Sequence, residues 1–434
     1  MEGEKASRKF TVLSFLFEPL SSAIMHPSNV TCASDRTPRW QIIFSGFLCA
    51  FITVVRVGHA ESQGAHWVGT WGSSPQLTEL RNLPPPPGLG GNSLWQVVHL
   101  SVGGEKLRVR FSNAFGDGPL EIAAAHLADS AGGGTIDPST DRALSFGGRP
   151  KVTLAAGEAV WSDSIEFPVR PSSDVAITLH FGEVPKDVTG HPGSRANSYL
   201  HTGDTKTVVR KVEHWYILTG VDVEAPTSSA AVVTLGDSIT DGRGSQTDRN
   251  NRWPDNLAAR LQVDPGTKDI AVLNEGIGGN CVLHGGLGPT AMSRFSRDVL
   301  EQSAARWVIV LEGVNDIGGS RGTNSTVAQE LIDAYQKMID LAHAKKMRIY
   351  GATILPFGQS FYDSPAHEAV RQTVNQWIRT GGKFDGVIDF DAVTRDPNRP
   401  GHLLPSADSG DHLHPSVKGY QMMAEAIDLK LFQK

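Results

Sequence analysis

The chain has 434 residues, 39% hydrophobic and 20% charged, with 40 Lys and Arg against 46 Asp and Glu for a formal net charge of -6. That length accommodates about two domains of ordinary size plus a leader. The charge balance leaves no basic excess to attract nucleic acid or an anionic membrane surface.

The first element is an apolar run over residues 42–55, IIFSGFLCAFITVV, preceded by Arg36 and Arg39 and followed by VGHA at 57–60. A membrane-spanning helix needs about 20 apolar residues, whereas a secretory core needs only about 7–15. Residues 1–60 are therefore expected to be a leader region, with a signal peptide cut after Ala60 and translation starting at Met25. The mature protein is expected to be secreted or periplasmic, without stable membrane insertion. Of the 3 cysteines, Cys32 and Cys49 would leave with the leader, and Cys281 alone cannot form an internal disulfide.

From about Trp67 to Glu224 the pattern has period two. In LRVRFSNA, Leu107, Val109 and Phe111 alternate with Arg108, Arg110 and Ser112, and in DVAITLHF, Val175, Ile177, Leu179 and Phe181 share a face. Further strands are expected near 94–102, 121–128, 151–156, 160–169 and 213–221, with connectors such as PPPPGLGG at 84–91. Many short strands and no convincing helix predict a β-sandwich domain of jelly-roll type over residues 65–225.

After EAPTSSA (224–230), β-branched runs alternate with helical stretches, which predicts an α/β domain over 228–434 built on a parallel sheet covered on both faces. Strands are expected at 231–235, 270–274, 307–313, 348–356 and 386–393. Helices are expected at 253–263, 290–303, 325–346, 365–380 and 416–431. Open α/β sheets bind ligands beyond the carboxyl ends of their strands, so the segments just after each strand are where chemistry belongs.

The first of these segments is GDSITDG (236–242), which puts Ser238 in a tight turn opening into a helix. A serine hydroxyl is a weak nucleophile unless a base removes its proton and a third group orients that base. Near the C-terminus DHLHP (411–415) supplies Asp411 and His414, three residues apart before the last helix. Donors for an oxyanion are offered by NEGIGGN (274–280), whose glycines let the backbone approach a substrate, and by GVND (313–316), which brings Asn315.

These blocks resemble the SGNH hydrolases, the GDSL esterase and lipase superfamily, named for a Ser, Gly, Asn and His in four separate blocks. The resemblance covers about residues 231–425 and implies a three-layer, flavodoxin-like hydrolase domain. It implies Ser238 as nucleophile from GDSIT, Asp411 and His414 from DHLH, and an oxyanion hole of Gly279 from NEGIGG, Asn315 from GVND and the Ser238 N–H. Upstream, HWVGTWGSSPQL (66–77) and LRVRFSNAFG (107–116) are similar to the N-terminal β-domain of a bacterial subgroup of arylesterases and acylhydrolases linked to polysaccharide breakdown. That similarity implies small-acyl esters or acylated saccharides as substrates.

The expected activity is thus a serine carboxylic-ester hydrolase working through an acyl-enzyme on Ser238, with no cofactor. A lipase or lysophospholipase, a transacylase and a non-catalytic carbohydrate-binding protein remain the alternatives. Asp237 and Asp241 are expected to make turn and N-cap hydrogen bonds, Asp316 to hold the loop presenting Asn315, and Trp253, Trp67 and Trp71 to pack in the core. His412 is expected to be a surface or capping residue, since an HxH pair lacks a third metal ligand.

Overall fold

The computed structural model describes residues 64–203, 207–320 and 324–433. The leader at 1–60, its cut after Ala60, the Met25 start, Cys32 and Cys49 all lie outside them.

The period-two segments form antiparallel strands. Ala65–Gly72, Leu218–Pro226, Gly104–Ser112 and Ile165–Val169 lie side by side in that order, with Ala159–Trp161 also pairing with Gly104–Ser112. In a second sheet, Asp174–Phe181 lies between Ser93–His99 and Leu120–Gly132, opposing Ile177 to Gln96 on one side and to Leu127 on the other. Alternation does the sorting: Leu107, Val109 and Phe111 are fully buried, as are Val175, Ile177 and Leu179. Trp71 meets Trp215 edge to face, 4.9 Å between centroids.

Two expected strands are interrupted. The run 160–169 breaks where the Ser162 hydroxyl accepts from the Val109 N–H at 3.0 Å, giving Ala159–Trp161 and Ile165–Val169. The run 213–221 breaks at Ile217, whose φ of 66° turns the chain between Trp215–Tyr216 and Leu218–Pro226.

The parallel sheet comprises Ala230–Gly236, Ile270–Gly276, Ala305–Leu311, Arg348–Ala352 and Gly386–Ile388, taken as first to fifth. Its spatial order is second, first, third, fourth, fifth. The first strand is buried throughout, as a strand covered on both faces must be. In chain order the helices are α1 (Ser238–Asp241), α2 (Trp253–Val263), α3 (Ala291–Phe295), α4 (Val314–Gly318), α5 (Asn324–Ala344), α6 (Pro365–Thr380), α7 (Phe390–Thr394) and α8 (Val417–Glu425).

Several expected elements end early, the third strand at Leu311 and α5 at Ala344 among them. The fourth strand stops at Ala352 because the Ile354 N–H is taken by the Asn375 side chain at 2.8 Å. The fifth stops at Ile388 because Asp389 caps α7, accepting from the Ala392 N–H at 3.1 Å. The stretch 290–303 is α3 followed by a π-helical turn at Ser296–Leu300, and 416–431 is α8 followed by a 3₁₀ turn at Leu429–Phe432. The antiparallel and parallel sheets lie in one unit, Ala60–Lys434. The antiparallel strand Ala65–Gly72 packs along the second parallel strand, where Gly69 approaches Leu273 so closely that a Cβ would sit 2.9 Å from a methyl carbon. Among the described residues no helix is long and apolar enough to cross a membrane.

Candidate active site

The first strand ends at Gly236, and Asp237 caps α1 by accepting from the Ile239 N–H at 2.9 Å. Ser238 is therefore the first helical residue, and it is 7% exposed. At the other end of the chain the Asp411 carboxylate folds its own loop: Oδ1 accepts from the N–H groups of Leu413 at 3.1 Å and His414 at 2.9 Å. Its Oδ2 lies 2.7 Å from His414 Nδ1, and His414 Nε2 lies 2.8 Å from Ser238 Oγ.

Burial opposes ionisation of Asp411, yet the His414 backbone and ring, with the Leu413 N–H, outweigh it and hold the carboxyl down at about 2. An ionised Asp411 can only accept, so Nδ1 carries the ring proton and Nε2 is left to accept from the serine hydroxyl. Burial also pulls His414 below the usual imidazole value. Asp411 resists that pull, and the charges of Arg243 and Arg195 add to it. The ring therefore stays neutral to lower pH than an ordinary imidazole.

Gly279 follows the second strand with φ 74°, a left-handed turn that glycine adopts without strain. Its carbonyl accepts from Leu287, while no described acceptor takes its N–H. Asn315 sits in α4 after the third strand. Its Nδ2 donates to the Asn280 carbonyl at 2.7 Å, and its Oδ1 accepts from the Tyr362 hydroxyl at 3.1 Å. Those two bonds fix which end of the amide is nitrogen and leave its second N–H for the cleft. Asp316 accepts from the N–H groups of Val282 and Leu283, both at 2.9 Å, tying α4 to the glycine loop.

Beneath the site Arg294, 1% exposed, donates to the carbonyls of Gly236 at 3.0 Å and Glu275 at 2.7 Å and to Asn280 Oδ1 at 3.0 Å. The ends of the first two strands and the residue that anchors Asn315 hang on one guanidinium.

Ser238, Gly279, Asn315 and His414 border one cleft of about 410 Å³. The antiparallel part supplies a wall through Gln76, Glu79, Arg81, Asn82, Gly193 and Arg195, while Phe361, 75% exposed, and Tyr362 stand on the other side. Asp237 makes the N-cap bond expected of it. Asp241 does not: its Oδ1 lies 2.9 Å from Nε2 of His191, a buried residue whose Nδ1 lies 3.0 Å from the Ser74 carbonyl. The turn places Asp241 facing the antiparallel part, which supplies that partner.

Trp253 is fully buried against Phe390, and Trp71 is 6% exposed; neither they nor Trp67 border the cleft. His412 pairs with Asp408 at 2.6 Å, away from the serine. Nothing local singles out Tyr362, Arg294 or His191, because each acts through a partner distant in the chain. Asn280 alone had a visible signal, as the last residue of NEGIGGN.

A buried serine and histidine with a half-buried aspartate in one hydrogen-bonded row, beside amide and glycine donors at the carboxyl end of a parallel sheet, place this part of the molecule among the hydrolases. Residues 234–422 match the GDSL-like lipase/acylhydrolase family, which supports the resemblance of that part of the chain to the SGNH superfamily. An acetylxylan esterase from Geobacillus stearothermophilus is 25% identical over 218 residues, 46% of this chain and 93% of the relative. A solved acetylxylan esterase from the same organism is 21% identical, covering 45% of this chain and 91% of its own with TM-score 0.35. A lipolytic G-D-S-L family protein from Veillonella parvula is 20% identical, covering 46% and 96% with TM-score 0.35.

Proposed function

We propose that the protein is a serine esterase that hydrolyses carboxylic esters with small acyl groups, acetylated saccharides among them. The observation that carries this reading is the row Ser238 Oγ, His414 Nε2, His414 Nδ1 and Asp411 Oδ2, joined at 2.8 and 2.7 Å with the aspartate ionised.

In this mechanism Ser238 Oγ attacks the acyl carbon while its proton passes to His414 Nε2, and Asp411 stabilises the imidazolium. The carbonyl oxygen, now an anion, receives hydrogen bonds from the N–H groups of Ser238 and Gly279 and from Asn315 Nδ2. When the carbonyl re-forms, the C–O bond to the alcohol breaks and the alcohol leaves with the proton from Nε2. Water then gives its proton to Nε2, attacks the acyl-enzyme, and releases the acid and the serine. Phe361 offers an exposed aromatic face on which a sugar ring can stack. The acetylxylan esterase relative supports an acetylated saccharide as substrate. The apolar run before residue 60 supports export.

The test is hydrolysis of 4-nitrophenyl acetate. Wild-type protein turns it over, and Ser238→Ala lowers kcat by about 10³-fold or more. Turnover by Ser238→Ala near the wild-type rate sinks the assignment, as does failure of a fluorophosphonate to label Ser238.

A further inference from the structure

Three guanidinium groups border the cleft, and the ester mechanism uses none of them. Arg81 comes from the 3₁₀ turn Leu80–Asn82, Arg195 from the loop between Thr189–His191 and Ser198–His201, and Arg243 from the turn after α1. Three distant segments of the chain therefore bring the same charge to one place.

Their partners are few. Among the described residues Arg81 makes no side-chain hydrogen bond or ion pair, and Arg195, half-buried with φ 49°, has a buried Nε without an acceptor. Arg243 is exposed, and its nearest carboxylate is Asp411 at 4.0 Å. The acidic residues on the cleft have partners of their own. Glu79 accepts from Gln76 at 3.0 Å and Asn82 at 2.8 Å, and Asp241 Oδ1 meets His191, while its Oδ2 has no partner among the described residues. A guanidinium N–H taken out of water without an acceptor is costly, so the buried Nε of Arg195, beside the exposed guanidinium groups of Arg81 and Arg243, suits an acceptor that arrives with the ligand.

Position decides which half of the ester that ligand group belongs to. The charges of Arg195 and Arg243 act on the His414 ring, and that ring hands its proton to the departing alcohol. In the esterase mechanism the carbonyl oxygen is held instead by Gly279 and Asn315.

We infer that the substrate's alcohol part carries an anionic group, a carboxylate or a sulfate, held by Arg195, Arg81 and Arg243 beside His414. Within the esterase reading, on which this rests, the substrate class becomes an acylated acidic saccharide. The anion adds no step to the chemistry. It orients the alcohol oxygen towards Nε2, and the field of the three cations draws the substrate in.

A pair of probes that differ only in charge tests it: acetylated polygalacturonate, and the same material with its carboxylates methyl-esterified. The free acid should show about 10-fold higher kcat/KM at low ionic strength, an advantage that shrinks in about 0.5 M NaCl as the charges are screened. Arg195→Gln and Arg81→Gln should each reduce the ratio of the two kcat/KM values, and Arg195→Lys should restore part of it. The neutral polymer measured on each variant corrects for any loss of folded enzyme. O-acetylated dextran sulfate run alongside separates sulfate from carboxylate as the preferred anion. A ratio at or below one for both anions, or a ratio unchanged in the arginine variants, overturns the inference. If no ester is hydrolysed in a Ser238-dependent way, the esterase reading is what has failed. Salt-sensitive binding of deacetylated polygalacturonate by the wild-type protein, weakened in Arg195→Gln, then supports the anion site, and its absence overturns it.

Discussion

Asn315 has one amide hydrogen committed to Asn280 and its oxygen committed to Tyr362, so the remaining N–H is aimed before any substrate arrives. Such a preset donor acts most strongly on the charge that develops in the transition state. Asn315→Ala should therefore lower kcat by about 10²–10³, roughly 3–4 kcal/mol, with a much smaller change in KM. Steady-state kinetics on a small acetyl ester read both parameters. His414 sets the pH dependence. Because burial and the two arginines favour its neutral form, the acid limb of kcat/KM should have its midpoint below 6.5. Removing a positive charge favours the imidazolium, so Arg243→Gln should move that limb to higher pH. A pH profile of the two proteins shows the direction.

At the scale of elements, Arg294 joins the first two parallel strands to the loop that carries Gly279 and Asn280. It also faces buried carboxyls, Asp298 at 3.2 Å and Glu312 at 3.4 Å. Arg294→Met leaves Glu312 without its cation and Asp298 with Arg297 alone, and should cost about 3–5 kcal/mol in urea unfolding at neutral pH. The loss should grow with pH. Burial raises Glu275 and Glu312 above the usual 4.5, so from there upward the folded state holds protons that the unfolded chain has released, and folding weakens as pH rises towards the folded values. Arg294 counters that trend, and without it the decline should extend to higher pH. Equal losses at pH 7 and pH 9 would show that the carboxyls do not respond to this cation.

For the whole molecule, the antiparallel part is a structural component of the cleft. It covers the second parallel strand along Ala65–Gly72 and sends Ser74 to Glu275 at 2.7 Å and to Arg294 at 2.9 Å, and His191 to Asp241. A chain reduced to residues 228–434 would expose Leu273, leave Asp241 without its imidazole, and open one wall of the pocket. Such a chain should lose cooperative thermal unfolding or unfold at a clearly lower Tm, with esterase activity falling in step; calorimetry and ester turnover check both. A truncated chain with full activity and an unchanged Tm would show that the wall is dispensable.

What could be read in advance was whatever depends on neighbours in sequence. The period of two in LRVRFSNA and DVAITLHF, and the β-branched runs alternating with helical stretches after residue 230, specify strands and helices because side-chain burial repeats with the backbone's own geometry. GDSIT, GVND and DHLH stand out for the same reason: each is a turn closing an element, and local hydrogen bonds such as those of Asp237 and Asp411 shape it. Strand ends were misjudged at Ala352 and Ile388, where side chains from other elements, Asn375 and Arg379, compete for the backbone or pin the cap. The sheet order, the pairing of His191 with Asp241, the reach of Arg294 and the meeting of Arg81, Arg195 and Arg243 belong to tertiary structure alone. Those contacts join residues tens to hundreds of positions apart, and no local rule links such residues until packing has chosen which surfaces meet.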